Sequence, residues 1–429
     1  MLEKILIVIS MPKFTLPSCG ESHAFSALSS ADSLQDALAP HFEPASKTLI
    51  ASSKMTPHHV EKRWQALNQP EAQAQLWDDQ TQRDLTHYSK NIEYFIGTVK
   101  VPVGMAGPLR VNGLHANDDF LIPLATTEAA LVASYHRGCK LITAAGGTSV
   151  MLLNEGVTRT PVFAFDHLAQ AGQFIAWVTT QYEHFKQLAQ ATTAHGQLHD
   201  INVTMEGNHV YLVFDYLTGD ACGQNMVTIA TNAVFEFIVH HSPIKPRHAF
   251  LDGNLSGDKK ANSHVLRHVR GKKVTAEVHL SAELIKKYLH TTPETMVKFA
   301  EMTTIGGVLS GSVGINAHYA NALTAFSIAC GQDPACVAES AVGITRMELN
   351  SQGGLYACVT LPNLMVGTVG GGTSLPSQKA CLALLGLTGS GNARALAEVV
   401  AGLCLAGELS IAGAFSAGHF SRAHHKLAR

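Results

Sequence analysis

Charge is scarce in this chain. Asp, Glu, Lys and Arg make up only 15% of its 429 residues, and the formal net charge is −2. So even a balance supplies no basic field for nucleic acid and no acidic tail, and a nucleic-acid partner is not expected. A disulfide framework is lacking too. The eight cysteines (Cys19, Cys139, Cys222, Cys330, Cys336, Cys358, Cys381, Cys404) are scattered, with no C-x-x-C pair, as suits a reducing cytoplasm. Long membrane-type runs are missing as well. The apolar stretch Ile5 to Ile9 is too short for a secretory core and no small-residue cleavage pattern follows. Residues 303–332 hold no Asp, Glu, Lys or Arg, but Ser310, Ser312, Asn316, His318 and Asn321 interrupt them, which favours a buried helix over a bilayer span. The uncharged run 409–421 is too short to cross a bilayer. These absences point to a cytoplasmic protein with no membrane partner.

Hydrophobic residues make up 46% of the chain, enough for two or three cores at this length. Residues 1 to about 55 are rich in Ser and Ala and read as a loosely packed arm. Thr56 to Leu67 has a helix start, with Thr56 as cap and Pro57 in the first turn. A strand-and-turn pattern over 96–109 leads to a strand near 120–124, and Thr126 to Gly138 reads as a Thr-capped helix closed by its glycine. Between about 159 and 252 the pattern alternates: strand 161–165, helix 169–181, strands 202–205 and 209–216, helix 224–240, and a strand near Ala249. That is a small inserted α+β module. A strand over 273–280, a helix over 282–290, a small-residue helix ending at Gly331-Gln332-Asp333 and a C-terminal helix from Asn392 complete the outline.

The stretch most suggestive of chemistry is Leu251 to Lys260, LDGNLSGDKK. Its glycines and Asn254 permit φ > 0, and the turns bring Asp258, Lys259 and Lys260 together. An ammonium held charged by an acid stabilises a developing oxyanion; the plainer reading is a solvated loop. Gly219 to Asn225, GDACGQN, stands between a strand and a helix, where free N–H groups bind phosphate, although the loop is not G-x-G-x-x-G. Gly367 to Thr373, GTVGGGT, is either an ordinary glycine turn or a place where a nucleotide approaches the backbone closely. Glu128, in the first turn of its expected helix, is either a helix-dipole charge or an acid whose pKa burial must raise. Asp333 is either a loop acid or a carboxylate beside a buried site. His419 and His424 are five apart, on different helical faces, which argues against a zinc pair, and no metal is expected.

Taken together, the surroundings of Glu128, Lys259, Asp333 and His424 resemble the 3-hydroxy-3-methylglutaryl-CoA (HMG-CoA) reductase family, in the soluble form shared by eukaryotes, archaea and some bacteria. The stretches that carry the resemblance are VPVGMAGPL, PLATTEAALVAS, GDACGQNM, GDKKA, NAHYAN, IACGQD, GTVGGGT, AGELS and AGHFSRAHH, in order from about residue 90 onward. The resemblance implies an α+β fold: a large CoA- and substrate-binding domain (98–159 and 252–429) with a central long helix, and an inserted, ferredoxin-like nicotinamide-binding domain (160–251). An N-terminal arm and helical region would occupy 1–97. It also implies a homodimer or higher oligomer with active sites at the subunit interface, the family's dimer motif reading here Glu93-Tyr94-Phe95-Ile96-Gly97.

By the same resemblance the chain reduces an acyl-CoA thioester, HMG-CoA, to mevalonate and CoA with two hydrides from NADPH, NADH being possible. Lys259 stabilises the oxyanion, Asp333 tunes Lys259, Glu128 supplies a proton and His424 protonates the leaving thiolate. Arg159, Asp258, Lys260, His318 and Asn321 lie toward the acyl part, and Ser134 and Arg137 toward CoA. Asp220, Ala221, Gly223, Asn225, Met226, Gly370, Gly371, Gly372 and Thr373 lie toward the nicotinamide nucleotide. Besides Tyr94 and Phe95 in the dimer motif, which differ from the family's usual pair, three positions depart from the family pattern. Asp252 replaces a serine that meets the substrate carboxylate, 300–307 lacks a lysine, and 192–196 has no arginine for a 2′-phosphate, His195 standing there instead. These departures leave two other readings, a reductase of a different thioester and a catalytically silent CoA- or nucleotide-binding sensor.

Overall fold

Residues 52–193 and 196–418 are described by a computed structural model. Most of the expected arm, His195, His419, His424 and His425 lie outside the described residues. In chain order, the helices of eight or more residues and the strands are α1 (Pro57–Leu67), β1 (Val103–Gly113), β2 (Asn117–Ala125), α2 (Leu131–Ala144), β3 (Thr148–Arg159), β4 (Val162–Ala164), α3 (Leu168–Thr179), α4 (Tyr182–Gln190), β5 (Gln197–Glu206), β6 (His209–Leu217), α5 (Gln224–His241), β7 (His248–Phe250), β8 (Gly271–Leu280), α6 (Ala282–Leu289), α7 (Pro293–Leu309), α8 (Tyr319–Cys330), β9 (Ile344–Leu349), β10 (Leu355–Leu364), α9 (Pro376–Leu384) and α10 (Ala393–Ser416).

Alternation of apolar and polar residues makes strands of β6 and β8, whose inward faces are buried at every second position. β6 pairs antiparallel with β4 and β5, and β4 with β7, so the spatial order is β7-β4-β6-β5. With α3 and α5 as crossovers, this β-α-β-β-α-β path is ferredoxin-like. Phe163, Phe165, Phe174, Phe185 and Phe214 fill its core. β3 belongs to both halves of the sheet. Its residues 149–156 pair with β8, and Val157 to Arg159 continue onto β6, so Arg159 stands at the junction.

The second core packs β1, β2, β8 and β10 against α2, α8 and α10. α10 is apolar on every side apart from Arg394, Glu398 and Glu408, and is buried along nearly all of its length, as such a helix must be. It has the length and apolarity to cross a membrane, but 94% of that stretch is buried inside the protein. Glycine permits the close helix crossing: a Cβ on Gly138 of α2 would stand 1.9 Å from the Ala406 carbonyl oxygen, and one on Gly407 would stand 2.2 Å from the Tyr135 ring. Two buried carboxylates of α10 satisfy loop amides. Glu398 accepts from Leu114, His115 and Ala116, and Glu408 from Ala317 and His318. A third, smaller cluster joins Val60, Trp64, Trp77, Leu85 and Phe95 around the buried Arg63, which donates to the Phe95 carbonyl at 2.8 Å.

Three expectations need correction. The helix expected over 126–138 begins at Leu131 and runs to Ala144. The Thr126 hydroxyl accepts from the Glu128 amide in a tight turn, Ala130 (φ 69°) precedes the helix, and Gly138 marks a helix crossing, not an end. Residues 303–332 form parts of two helices, broken where Gly311 and Gly314 take φ of 71° and 82°. The end of α7 is not buried: Met302, Ile305, Val308 and Leu309 are exposed. Helix α4 was not anticipated.

Gly138→Ala should therefore force α2 and α10 apart and cost about 1–3 kcal/mol of overpacking strain, read as a lower urea midpoint with an unchanged m-value.

Candidate active site

The 251–260 loop is built on two turns. The Asp252 carboxylate accepts from the Asn254 amide at 2.7 Å, and Asn254 and Gly257 adopt the left-handed φ values of 61° and 69° that their residue types tolerate. Lys259 is also left-handed, at φ 57°. For a residue with a long side chain that costs about 1–3 kcal/mol and persists only where the surroundings enforce it. The enforcing contact is its own amide, which donates to the buried Glu339 carboxylate at 3.2 Å.

From there the Lys259 ammonium reaches Asp333 Oδ2 at 2.8 Å. The hydrogen bond to Asp333 raises the lysine pKa despite partial burial. Burial pushes the Asp333 carboxyl up, but hydrogen bonds from Lys259 and the Ala335 amide outweigh it and leave it lowered. Both groups are therefore held ionised, and both are more than a third exposed, so the pair presents a charged ammonium to solvent instead of hiding it.

Behind Lys259 lies a chain of ions, buried at Arg159, Arg270 and Glu339, partly buried at Asp258 and exposed at Asp252. Arg159 binds Asp252 through one Nη and Asp258 through the other, the latter at 3.2 Å. Arg270 stands 2.7 Å from the second oxygen of Asp258 and 3.4 Å from Glu339. It also donates to Gln224 at 2.7 Å, and Asn363 donates to Glu339 at 2.9 Å. Burial raises the Glu339 pKa, against the pull of Arg270 and the Lys259 amide. The departure at Asp252 thus acquires a partner: its charge is met by Arg159. Sequence reasoning missed Arg270 and Glu339. Glu339 had one signal, a charge isolated among small and apolar neighbours in Ala335-Cys336-Val337-Ala338-Glu339, whereas Arg270, flanked by Arg267, His268, Lys272 and Lys273, had none.

Lys259 and Asp333 open onto a cleft of about 640 Å³. Ala221, Gly223, Asn225, Met226, Gly370, Gly371, Gly372 and Thr373 line it, so the two glycine-rich turns and the Lys259 loop converge. The turns also bond to each other, the Thr368 amide donating to the Asp220 carbonyl at 2.9 Å. Space is open where a Cβ on Gly370 or Gly371 would stand, and the start of the 18-residue α5 has no side-chain cap. Exposed glycine backbone and a free helix N-terminus suit the phosphates of a nicotinamide nucleotide.

Other expected site residues are engaged elsewhere. The Asp220 carboxylate accepts from the Gly391 and Ala393 amides at 2.7 and 3.1 Å and so anchors the start of α10; it does not line the cleft. Ser134 and Arg137 both bond Ser410 of α10. His318 sits between the Tyr135 hydroxyl (3.2 Å) and the Gly407 carbonyl (2.8 Å), and neither it nor Asn321 borders the cleft. Lys260 is exposed and donates to the Asp258 carbonyl at 3.0 Å. Glu128 is exposed, in the turn before α2, and does not line the cleft.

A family model described as hydroxymethylglutaryl-coenzyme A reductase matches residues 59–429. The 3-hydroxy-3-methylglutaryl-coenzyme A reductase of Methanothermobacter thermautotrophicus is 43% identical over 343 residues, covering 79% of this chain and 85% of that protein. That of Pyrococcus abyssi is 42% identical over 362 residues, covering 81% and 88%. Among solved structures, the class II reductase from Streptococcus pneumoniae bound to NADPH in open conformations superposes with a TM-score of 0.63 at 19% identity, covering 84% of this chain and 99% of that one. At that identity the likeness bears on the fold alone.

Arg270→Met should leave Asp258 and Glu339 as buried charges short of a partner and cost about 3–5 kcal/mol in urea unfolding, with Arg270→Met/Glu339→Leu recovering part of the loss.

Proposed function

Because the chain belongs to the hydroxymethylglutaryl-coenzyme A reductase family, we propose that it reduces (S)-HMG-CoA to mevalonate and free CoA, an NADPH-dependent oxidoreductase activity. The observation that carries this reading is the Lys259–Asp333 pair at the mouth of the glycine-lined cleft. The two glycine-rich turns would hold a reduced nicotinamide nucleotide, which would supply the two hydrides that reduction of the thioester to an alcohol requires.

This chain's residues manage charge and protons. The Lys259 ammonium faces the carbonyl oxygen and stabilises negative charge as each hydride arrives, a contribution that counts most in a site preorganised before reaction. Asp333 keeps that ammonium charged and oriented. Glu128 donates the proton that converts the alkoxide to an alcohol, and His424 protonates the departing CoA thiolate. Arg159, Asp258 and Lys260 surround the acyl end; with Asp252 bound to Arg159, the exposed Lys260 is the cation left for the substrate carboxylate.

The reading includes a second copy of the chain. Glu128 is exposed and outside the cleft lining, and α7 exposes Met302, Ile305, Val308 and Leu309. A homodimer covering that apolar end is the arrangement we infer, with one subunit's Glu128 completing the other's site. NADPH is the cofactor we infer, in a cytoplasmic enzyme.

The test is a matrix of HMG-CoA and other acyl-CoAs, each with NADPH and NADH, followed by nucleotide absorbance. Oxidation of about two nucleotides per HMG-CoA is expected, matching two hydrides per thioester; turnover of another thioester alone would reject the substrate. Lys259→Ala should lower kcat by about 10²–10³, the loss typical of a missing oxyanion donor. Asp333→Asn should shift the alkaline limb of kcat/KM to lower pH, because Asp333 is the principal group raising the Lys259 pKa.

A further inference from the structure

Gln332 precedes Asp333 and takes part in none of the steps above, yet it is buried in the wall of the cleft. Helix α8 ends at Cys330, and Gly331 follows at φ 67°, a left-handed turn that glycine adopts freely. The Gln332 amide closes that turn by donating to the Ser327 carbonyl at 3.0 Å. Two consecutive side chains then leave one fixed helix end for different partners. Asp333 goes to the Lys259 ammonium, and Gln332 goes to the backbone of the glycine-rich segment 367–373.

The second contact is specific. Gln332 Oε1 accepts from the buried Gly367 amide at 2.8 Å, and Gln332 Nε2 donates to the Cys330 carbonyl at 2.8 Å. The carboxamide is used at both ends, so its orientation is fixed, and neither a carboxylate nor a hydrocarbon reproduces it. Gly367 is pressed in turn against the other glycine-rich turn: a Cβ there would stand 2.5 Å from the Cys222 amide nitrogen and 2.8 Å from the Asp220 carbonyl oxygen. Further along, a Cβ on Gly331 would stand 2.3 Å from the Gly372 carbonyl oxygen. The segment 367–372 is therefore held against the end of α8 at both of its ends, by a hydrogen bond at Gly367 and by close backbone packing at Gly372.

We propose that Gln332 is a positioning residue that fixes the 367–373 turn, and with it the bound nucleotide, relative to the Lys259–Asp333 pair.

This rests on the nucleotide reading of the cleft. A hydride passes only when donor and acceptor are held at short range and in register, so the two halves of the site need a common frame. Lys259 holds the carbonyl oxygen on one side, and the glycine-rich turns hold the nucleotide on the other. Gln332 and Asp333, adjacent in the chain, tie both sides to the end of α8. Without the carboxamide, the Gly367 N–H is a buried donor with no acceptor, which is costly enough that the turn moves to find one. The turn that moves is the nucleotide's; the Lys259–Asp333 contact does not pass through Gln332.

The experiment titrates the full chain and its Gln332→Met variant with NADPH, followed by nucleotide fluorescence, and then measures KM for each substrate and the pH profile of kcat/KM. Methionine keeps the length of the side chain and removes both polar groups. Expected is a rise of about tenfold or more in the dissociation constant and KM of NADPH, the scale of one lost hydrogen bond. KM for HMG-CoA and the alkaline limb of kcat/KM should stay near those of the wild type, whereas general damage to the fold would weaken both substrates together. Gln332→Asn keeps the carboxamide on an arm one methylene shorter; it should weaken NADPH in the same selective way and serves if the methionine variant does not fold. Unchanged NADPH binding in a folded variant, or equal losses for both substrates, would overturn the proposal. A wild type that binds NADPH but reduces no HMG-CoA fails the reductase reading, while the titration still decides Gln332. A wild type that binds no nicotinamide nucleotide fails the nucleotide reading and the proposal with it.

Discussion

Arg270 is the interaction on which the site depends. Its guanidinium is almost fully buried and faces carboxylates from two parts of the chain, Asp258 of the lysine loop and Glu339 beyond α8. An unpaired ion at that depth costs several kcal/mol, so the network is stable only when all its members are present. Glu339 in turn takes the Lys259 amide and so holds a strained left-handed residue in place. The Lys259 ammonium is aimed by buried groups that do not line the cleft.

The same geometry joins the two halves of the protein. β3 passes from the large sheet into the small one and delivers Arg159 to the junction, while Asp220 of the small half anchors the first turn of α10. The cleft lies where these ties hold the glycine-rich turns against the lysine loop. Domain placement and site formation are therefore one event, set by a few charge-assisted hydrogen bonds that are stronger than neutral ones.

Much was legible in the chain. The β-α-β-β-α-β module, the capped helix after Thr56, the strand after Gly271 and the buried C-terminal helix all follow from local period and caps. Lys259 and Asp333 were legible because motifs mark them. Gly138 was misread, since a glycine that ends a helix and a glycine that lets two helices cross look alike until the partner, Ala406, is known. Asp220, Ser134 and Arg137 were placed toward ligands, yet within the chain each binds a backbone or side-chain group of α10 or the turn before it.

By itself, then, the sequence determined what short-range physics controls: which segments are helix or strand, which turns tolerate φ > 0, and which motifs carry ammonium and carboxylate groups. Only the tertiary structure decided which charges pair. Pairing depends on distance through a low-dielectric interior, and residues such as Asp258, Arg270 and Glu339 become neighbours only after the sheet and helices have packed.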